Sequence, residues 1–298
     1  MSVNNFIPEV CAAEFQETLE RNLVFAEDCN RDYEGEVKKV GDAVRILGLG
    51  DAQTAKWTDG KLHQVDVDYQ IEDTSMLMPI NQISYWRFGI DDLDKRQAQG
   101  GRSLYSRWMQ KENKKVSRDM DEHIAGIHVG DLGVEVYQPK ISGSRVAVSV
   151  DGSGGTMPIL TLMDEITEKL MENDVDPDAY RSLTAPWWFI MMLKRAYVEL
   201  DTDNSAMLKN GKVGMFGNTV LKASNNCFHN PTETVGGGTK DVYHLQFKTK
   251  EAITFANPFT HTHAYTPEDF FEDKVKGYSL YQAKVVDGQQ IIDVAVYK

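Results

Sequence analysis

Residues 102–127 read Arg102-Ser103-Leu104-Tyr105-Ser106-Arg107-Trp108-Met109-Gln110-Lys111-Glu112-Asn113-Lys114-Lys115-Val116-Ser117-Arg118-Asp119-Met120-Asp121-Glu122-His123-Ile124-Ala125-Gly126-Ile127. Within this run Leu104, Trp108, Val116, Met120, Ile124 and Ile127 recur mostly at intervals of three or four, the spacing that lines apolar side chains along one stripe of an α-helix. At 1.5 Å per residue the run predicts a helix of roughly 39 Å, with Gly100-Gly101 marking where it starts. A helix that long is a spine. Residues 95–118 also carry Lys95, Arg96, Arg102, Arg107, Lys111, Lys114, Lys115 and Arg118 against the single acid Glu112. Two readings stand for this run: the solvated face of a helix, or a local surface for anions or nucleic acid.

Upstream of the spine, Val65, Val67, Tyr69 and Ile71 alternate with Asp66, Asp68, Gln70 and Glu72, which predicts a half-exposed strand. Asp59-Gly60 precedes it and residues 52–57 flank the other side, so the pair reads as a β-hairpin turned at a D-G step. A lone two-stranded hairpin is only marginally stable in water, so its apolar face needs a partner outside the hairpin. Trp57, between Lys56 and Lys61, is a natural anchor for that contact. Earlier still, Phe15, Leu19, Leu23 and Val24 predict a short amphipathic helix over 12–25, followed by a Gly-punctuated stretch over 33–50.

Downstream, 137–150 is strand-like, and Asp151-Gly152-Ser153-Gly154-Gly155 reads as a flexible link. Ile159, Leu162, Met163, Ile166 and Leu170 predict a second helix that ends before Asp176-Pro177. A third helix is expected with Thr184 as N-cap and Pro186 in its first turn, running through Trp187-Trp188-Phe189 to about Leu200 and buried on most sides. Strands follow from Lys212, and 224–240, with Gly236-Gly237-Gly238, reads as a polar surface loop. The chain closes with 278–286, the turn Asp287-Gly288 and 291–297, read as a second hairpin. The early hairpin and the long helix expose extended surface that something else must cover.

The 298 residues carry 32 Lys+Arg against 45 Asp+Glu, a net charge of −13, with 41% hydrophobic residues. These values describe a folded globular chain of about two domains and disfavour a dedicated nucleic-acid-binding domain. No run reaches the 18 or so apolar residues of a membrane span, and the first residues show no basic-then-apolar export signal, so no membrane partner is expected. Cys11, Cys29 and Cys227 have no CxxC spacing, which fits a reducing cytoplasm and indicates neither a disulfide framework nor a zinc cage. The Ser153 neighbourhood lacks the spacing and the upstream His of a serine-protease site. His261-Thr262-His263 places two imidazoles on one side of a strand, with Glu268 or Asp269 as a third ligand if this is a metal site and not a polar loop edge. Trp187-Trp188 reads as core packing more readily than as a stacking platform, because adjacent helical residues point about 100° apart. Walker, dinucleotide and HExxH motifs are absent from the sequence.

Several segments together resemble the major capsid (coat) protein of tailed bacteriophages. Ile7-Pro8-Glu9-Val10, Leu23-Val24-Phe25-Ala26, Asn30-Arg31-Asp32-Tyr33-Glu34-Gly35-Glu36-Val37 and Gly41-Asp42-Ala43-Val44-Arg45-Ile46 are similar to that family's N-terminal arm. Phe88-Gly89-Ile90-Asp91-Asp92-Leu93-Asp94 with the helix containing Met120-Asp121-Glu122-His123-Ile124-Ala125-Gly126 resembles its spine helix. Gly211-Lys212-Val213-Gly214-Met215-Phe216-Gly217-Asn218-Thr219-Val220 with Ser224-Asn225-Asn226 resembles the strand after its axial-domain helix. Residues 270–277 and Tyr281-Gln282-Ala283-Lys284-Val285 resemble its closing peripheral strands.

The resemblance implies an α+β chain with the Hong Kong 97-type capsid fold. Residues 1–50 would be the N-terminal arm, 51–75 the E-loop hairpin, 76–150 the peripheral domain with its spine helix, 151–227 mainly axial domain, and 228–298 an axial loop and the return to peripheral strands. It implies a non-enzymatic structural protein without cofactors, made in the host cytoplasm and located in the virion. Its partners would be copies of itself in hexamers and pentamers, a portal protein and packaged double-stranded DNA bound without sequence specificity. With the arm motif starting at Ile7, a separate scaffolding protein is expected. Trp57, Val65, Val67, Tyr69 and Ile71 would contact a neighbouring subunit, and Arg102, Arg107, Lys111, Lys114 and Lys115 would face the genome or pair with a neighbour's acids. The alternatives are an encapsulin-like compartment of the same fold and a metal-dependent enzyme using His261 and His263.

Overall fold

The long helix forms as the spacing predicts. The computed structural model describes residues 23–32, 43–49, 61, 73–91, 101–199, 214–265, 267 and 272–298. In chain order they form β1 (Ala43–Leu49), β2 (Asp73–Pro79), β3 (Gln82–Asp91), α1 (Gly101–Gly126), β4 (Glu135–Tyr137), the two-residue bridges β5 (Lys140–Ile141), β6 (Ser144–Arg145), β7 (Val148–Ser149) and β8 (Met157–Pro158), α2 (Ile159–Glu172), β9 (Arg181–Ala185), α3 (Trp187–Glu199), β10 (Met215–Phe216), β11 (Thr219–Ala223), β12 (His229–Val235), β13 (Gly238–Thr249), β14 (Ile253–Tyr265), β15 (Glu272–Val285) and β16 (Ile291–Val296). The predicted hairpin over 52–71 apart from Lys61, the helix over 12–25 except its last residues, Cys11, Trp57, Val65, Val67, Tyr69 and Ile71 lie outside the described residues.

Helix α1 spans 26 residues and packs on one face of an antiparallel sheet ordered β14-β15-β3. Its buried stripe runs through Met109, Val116, Met120 and Ile124, against Phe255, Tyr281 and Ala283. Trp108, expected in that stripe, is 44% exposed and instead stacks on Phe88 with ring centroids 6.4 Å apart; Met109, one residue on, takes the core position. Ribbon β1–β2 lies beside this sheet, with Val44, Ile46 and Met78 covering Ala256 and Leu280.

The second lobe is a seven-stranded sheet, ordered β10-β11-β9-β13-β16-β4 with β12 also on β13. Helices α2 and α3 press Leu162, Met163, Ile166, Leu170, Phe189 and Leu193 onto Leu183, Phe247, Ile292 and Val294. Four expectations are corrected here. Thr184 is no N-cap but a buried residue of β9, paired with β11 and β13 on either side, and α3 begins after Pro186 at Trp187. Residues 137–150 form short bridges, not one strand. The polar stretch at 224–240 is not all loop: from His229 it runs into a hairpin of β12 and β13 turned at Gly236-Gly237, both at positive φ, whose exposed edge strand β12 explains the polar composition. β15 and β16 are not a hairpin: β15 belongs to the three-stranded sheet and β16 to the seven-stranded one, and the turn at 288–290, where Asp287 accepts from the Gln289 N–H, carries the chain between lobes.

Candidate subunit-contact surfaces

Residues 23–30 act as a strap between the lobes. Leu23, Phe25, Ala26 and Cys29 are apolar enough to enter the α1 core, which leaves their backbone polar groups to be satisfied there. Asp121, buried on α1, accepts the N–H groups of Val24 at 3.1 Å and Phe25 at 3.1 Å. Burial pushes its carboxyl up to about 6 in spite of those hydrogen bonds and the Lys222 ammonium. Asn30 extends the edge of β14, donating to the Ile253 carbonyl and accepting from the Phe255 N–H, each at 2.9 Å.

From the other lobe, Lys222 donates to Asp28 at 2.9 Å and Glu27 at 2.8 Å, the Tyr180 hydroxyl donates to Asp28 at 2.8 Å, and the fully buried Lys248 donates to the Cys29 sulfur at 3.1 Å. Burial works against the Lys222 charge, but its two carboxylates outweigh that and hold its pKa above the ordinary value. Burial and then the Asp28 carboxylate raise the Tyr180 phenol. The strap is thus fastened to both lobes by charge-assisted bonds.

Three outward surfaces differ in chemistry. The face of α1 turned away from its sheet exposes Lys111, Lys114, Lys115 and Arg118, with the Lys111 ammonium 5.6 Å over the Trp108 ring and Arg118 paired to Glu122 at 2.7 Å. Arg102 and Arg107 lie on the same helix, but their side chains are outside the described residues.

On the far face of the three-stranded sheet, register places Tyr85, Tyr278 and His261 in one row and Arg87, Lys276 and His263 in the next. Tyr85 is 83% exposed, and Tyr278 and His261 stack at 5.8 Å with their planes 5° apart. The alternate residues Trp86 and Phe88 turn inward to α1. Sequence reasoning missed this row, although Ile83, Tyr85 and Arg87 alternate with Ser84, Trp86 and Phe88 at period two.

In the seven-stranded lobe, α3 exposes Trp187, Met191 and Arg195 at spacing four, with Trp187 at 43% and Met191 at 48%, so the expected burial on most sides is corrected. Trp188 is half-buried, edge-on to Phe189 and Tyr243. Beside it α2 exposes Asp164, Glu168 and Glu172, also at spacing four. A cleft of about 770 Å³ near the strap is lined by Asp32, Asp174, Asp176, Glu251 and Asp287, with Lys250 the one base among the described residues that line it.

His261 and His263 share a strand face as expected, but each is exposed and stacks on a tyrosine, Tyr278 and Tyr265 respectively. Glu268 and Asp269 are outside the described residues, and among the described residues no group of three His, Cys, Asp or Glu side chains is placed to hold a metal. Ser153 sits in an exposed turn with Gly152, Gly154 and Gly155 at positive φ, as a linker requires. Cys29 and Cys227 are buried thiols; burial pushes Cys227 up to about 12 and raises Cys29 as well.

No protein-family model matches the sequence, and no curated protein matches it. Solved structures do. A chain from Mycobacterium phage Che8 superposes with a TM-score of 0.63 at 20% identity, over 91% of this chain and 90% of that one. The capsid of Ralstonia phage GP4 gives 0.61 at 13% identity, over 92% and 89%. A virus-like particle from Pyrococcus furiosus gives 0.55 at 8% identity, over 97% and 99%. The matches run nearly end to end and include both lobes, so the chain has the fold of tailed-phage capsid proteins.

Proposed function

We propose that this chain is a structural, non-enzymatic major capsid protein whose copies close into the icosahedral shell around a phage genome. The observation that carries this reading is the match in fold over about nine-tenths of both chains to phage capsid structures. The chemically distinct outward surfaces support it, since rings of identical subunits join unlike patches head to tail. In this reading 1–50 is the arm, 51–75 the E-loop, 76–150 the peripheral domain, 151–227 mainly axial domain and 228–298 the axial loop and returning strands. Trp57, Val65, Val67, Tyr69 and Ile71 rest on a neighbouring subunit. Lys111, Lys114 and Lys115, exposed on α1, together with Arg102 and Arg107, face the DNA, whose charge recurs about every 1.7 Å of axis and would be repelled by a uniformly acidic wall. A scaffolding protein and a portal complete the partners.

Electron microscopy of the purified chain, alone and with its genomic neighbours, tests the reading. Closed shells or capsomer rings are expected. A chain that stays monomeric under every assembly condition would overturn it, and shells that form around an enzyme cargo with no portal would move it to the encapsulin-like alternative.

A further inference from the structure

Just past the end of α1, His128 is fully buried. Its Nδ1 lies 3.0 Å from Gln246 Nε2, and its Nε2 faces Asp293 Oδ1 at 3.4 Å. Gln246 Nε2 also donates to the Ile124 carbonyl in the last turn of α1, at 2.7 Å. A carbonyl oxygen only accepts, so that bond fixes which end of the amide points at the helix. Gln246 must then present an N–H to the imidazole as well, which makes His128 Nδ1 an acceptor and puts its proton on Nε2, toward Asp293. The amide oxygen of Gln246 has no hydrogen-bond partner among the described residues.

The other charged and titratable groups around this point form a chain across β13, β16, β12 and β6. Asp293 Oδ2 lies 2.8 Å from His244 Nδ1, His244 Nε2 faces Glu233 Oε2 at 3.6 Å, and Arg145 donates to Glu233 at 2.5 Å and to the Ala295 carbonyl at 3.1 Å. Burial acts to raise the Asp293 carboxyl, but the hydrogen bonds and charges of His128 and His244 outweigh it and hold the group below its usual range. On α1 itself, the buried Asp121 is committed to the strap and Glu122 to Arg118.

The two histidines are therefore unlike. His244 has a carboxylate facing each ring nitrogen, Asp293 within hydrogen-bond distance and Glu233 at 3.6 Å, so a charge on its ring is compensated from both sides. His128 has a carboxylate at one nitrogen and a fixed donor at the other.

We propose that His128 is a proton-operated latch: neutral, it ties the end of α1 to the seven-stranded sheet through Gln246, and on mild acidification it releases that tie. A proton from solvent adds to the Nδ1 lone pair, drawn by the charged Asp293. The new N–H then opposes the Gln246 N–H. The conflict is relieved when the amide turns over, so that its unpartnered oxygen accepts from Nδ1 and the Ile124 carbonyl loses its side-chain donor, keeping the Ile127 N–H at 3.4 Å. Gln246 is the two-state element, with one face for each protonation state of His128.

The test is amide hydrogen exchange on the unassembled subunit, corrected for intrinsic rates, at about pH 8 and about pH 5. It reads the single chain, so its outcome is independent of whether shells form. The Ile127 and Val129 amides, which donate to Ile124 and Gly126, report the helix end. Protection there is expected to fall roughly fivefold on acidification, the factor that corresponds to one buried hydrogen bond. His128→Gln should abolish that response, while His123→Gln should keep it. Unchanged protection in the wild type, or an equal response in His128→Gln, overturns the proposal. Should His128→Gln not fold, nitrogen chemical shifts of the unaltered chain decide: they must show the Nε2–H tautomer of His128 near neutrality, and the Nδ1–H tautomer would refute the latch.

Discussion

The two lobes close their cores by different means. In the seven-stranded lobe, α2 and α3 present only apolar side chains to alternate residues of β9, β13 and β16, and every buried member of that core lies between Val148 and Val296. In the three-stranded lobe, α1 buries Asn113, Ser117 and Asp121 in the same stripe as Met109, Val116 and Met120, and the core is completed by Leu23, Phe25, Ala26 and Cys29. That strap stands 97 residues from the Asp121 carboxylate that holds it. The apolar face that α2 and α3 cover is stabilised by area and packing alone and should be indifferent to pH, unlike the residues that alternate with it on β13 and β16, where Gln246 and Asp293 meet His128. A polar stripe must be matched by specific partners, so the first lobe ties its stability to the strap and to protonation.

The largest effect should come from the apolar core. Phe189 is fully buried and edge-on to Trp188, so Phe189→Ala should cost about 3–5 kcal/mol in denaturant unfolding, by the same amount at acid and neutral pH. A cost below about 1 kcal/mol would mean that the lobe repacks freely and is not the rigid half of the pair.

Asp121 should behave oppositely. Its carboxyl sits near 6 in the folded chain, above the 3.8 of an unperturbed group, so folding favours the neutral form. The stability it contributes is fully present below about pH 4 and is lost as the pH rises through about 6. The difference between 3.8 and about 6 corresponds to something on the order of 3 kcal/mol. Comparing wild type with Asp121→Asn between pH 4 and 7, the wild type should lose stability relative to the variant as the pH rises. A difference that stays flat would show that the strap does not sense the charge, and would erase the contrast between the lobes.

How far the sequence carries differs along the same line. The apolar periodicities of α1 and α2 were legible because each repeats over several turns with nothing competing: the predicted 102–127 is found at Gly101–Gly126, and the predicted Ile159 is the first residue of α2. Thr184 misled because a Thr before a Pro satisfies a capping rule locally, while the pairing of β9 on both edges, which overrides it, is made with strands that come later in the chain. The Asp287-Gly288 step fits a hairpin turn by its residues, yet β15 and β16 part because each finds a longer partner elsewhere. The strap was hidden for a similar reason: nothing in residues 23–30 announces that Asp121, Lys222 and Lys248 will meet it. Of the surface residues singled out beforehand, Lys111, Lys114 and Lys115 are exposed as a solvated or anion-facing stripe requires, whereas the Tyr85–Tyr278–His261 row needed the register of three strands to appear.

The smallest effect on the single chain should come from the outward surfaces. Tyr85 touches water over most of its area, and Trp187 and Met191 stand out from α3, so truncating them removes little that the folded monomer uses. Tyr85→Ala and Trp187→Ala should each change subunit stability by no more than about 0.5 kcal/mol, read by the same unfolding curves that report Phe189→Ala. Exposed aromatic side chains of this size are nevertheless the groups that dominate interfaces once covered, where truncation often costs about 2 kcal/mol or more. If copies of this chain cover these faces, the same substitutions should raise the concentration needed for assembly or lower the melting point of the shell, and the loss recurs at every copy. Measuring monomer unfolding and assembly side by side separates the two roles. A variant that unfolds early but assembles at the wild-type concentration would place its residue in an internal core. A variant neutral in both would leave that face open to solvent, and the contact between subunits would have to lie elsewhere on the lobes.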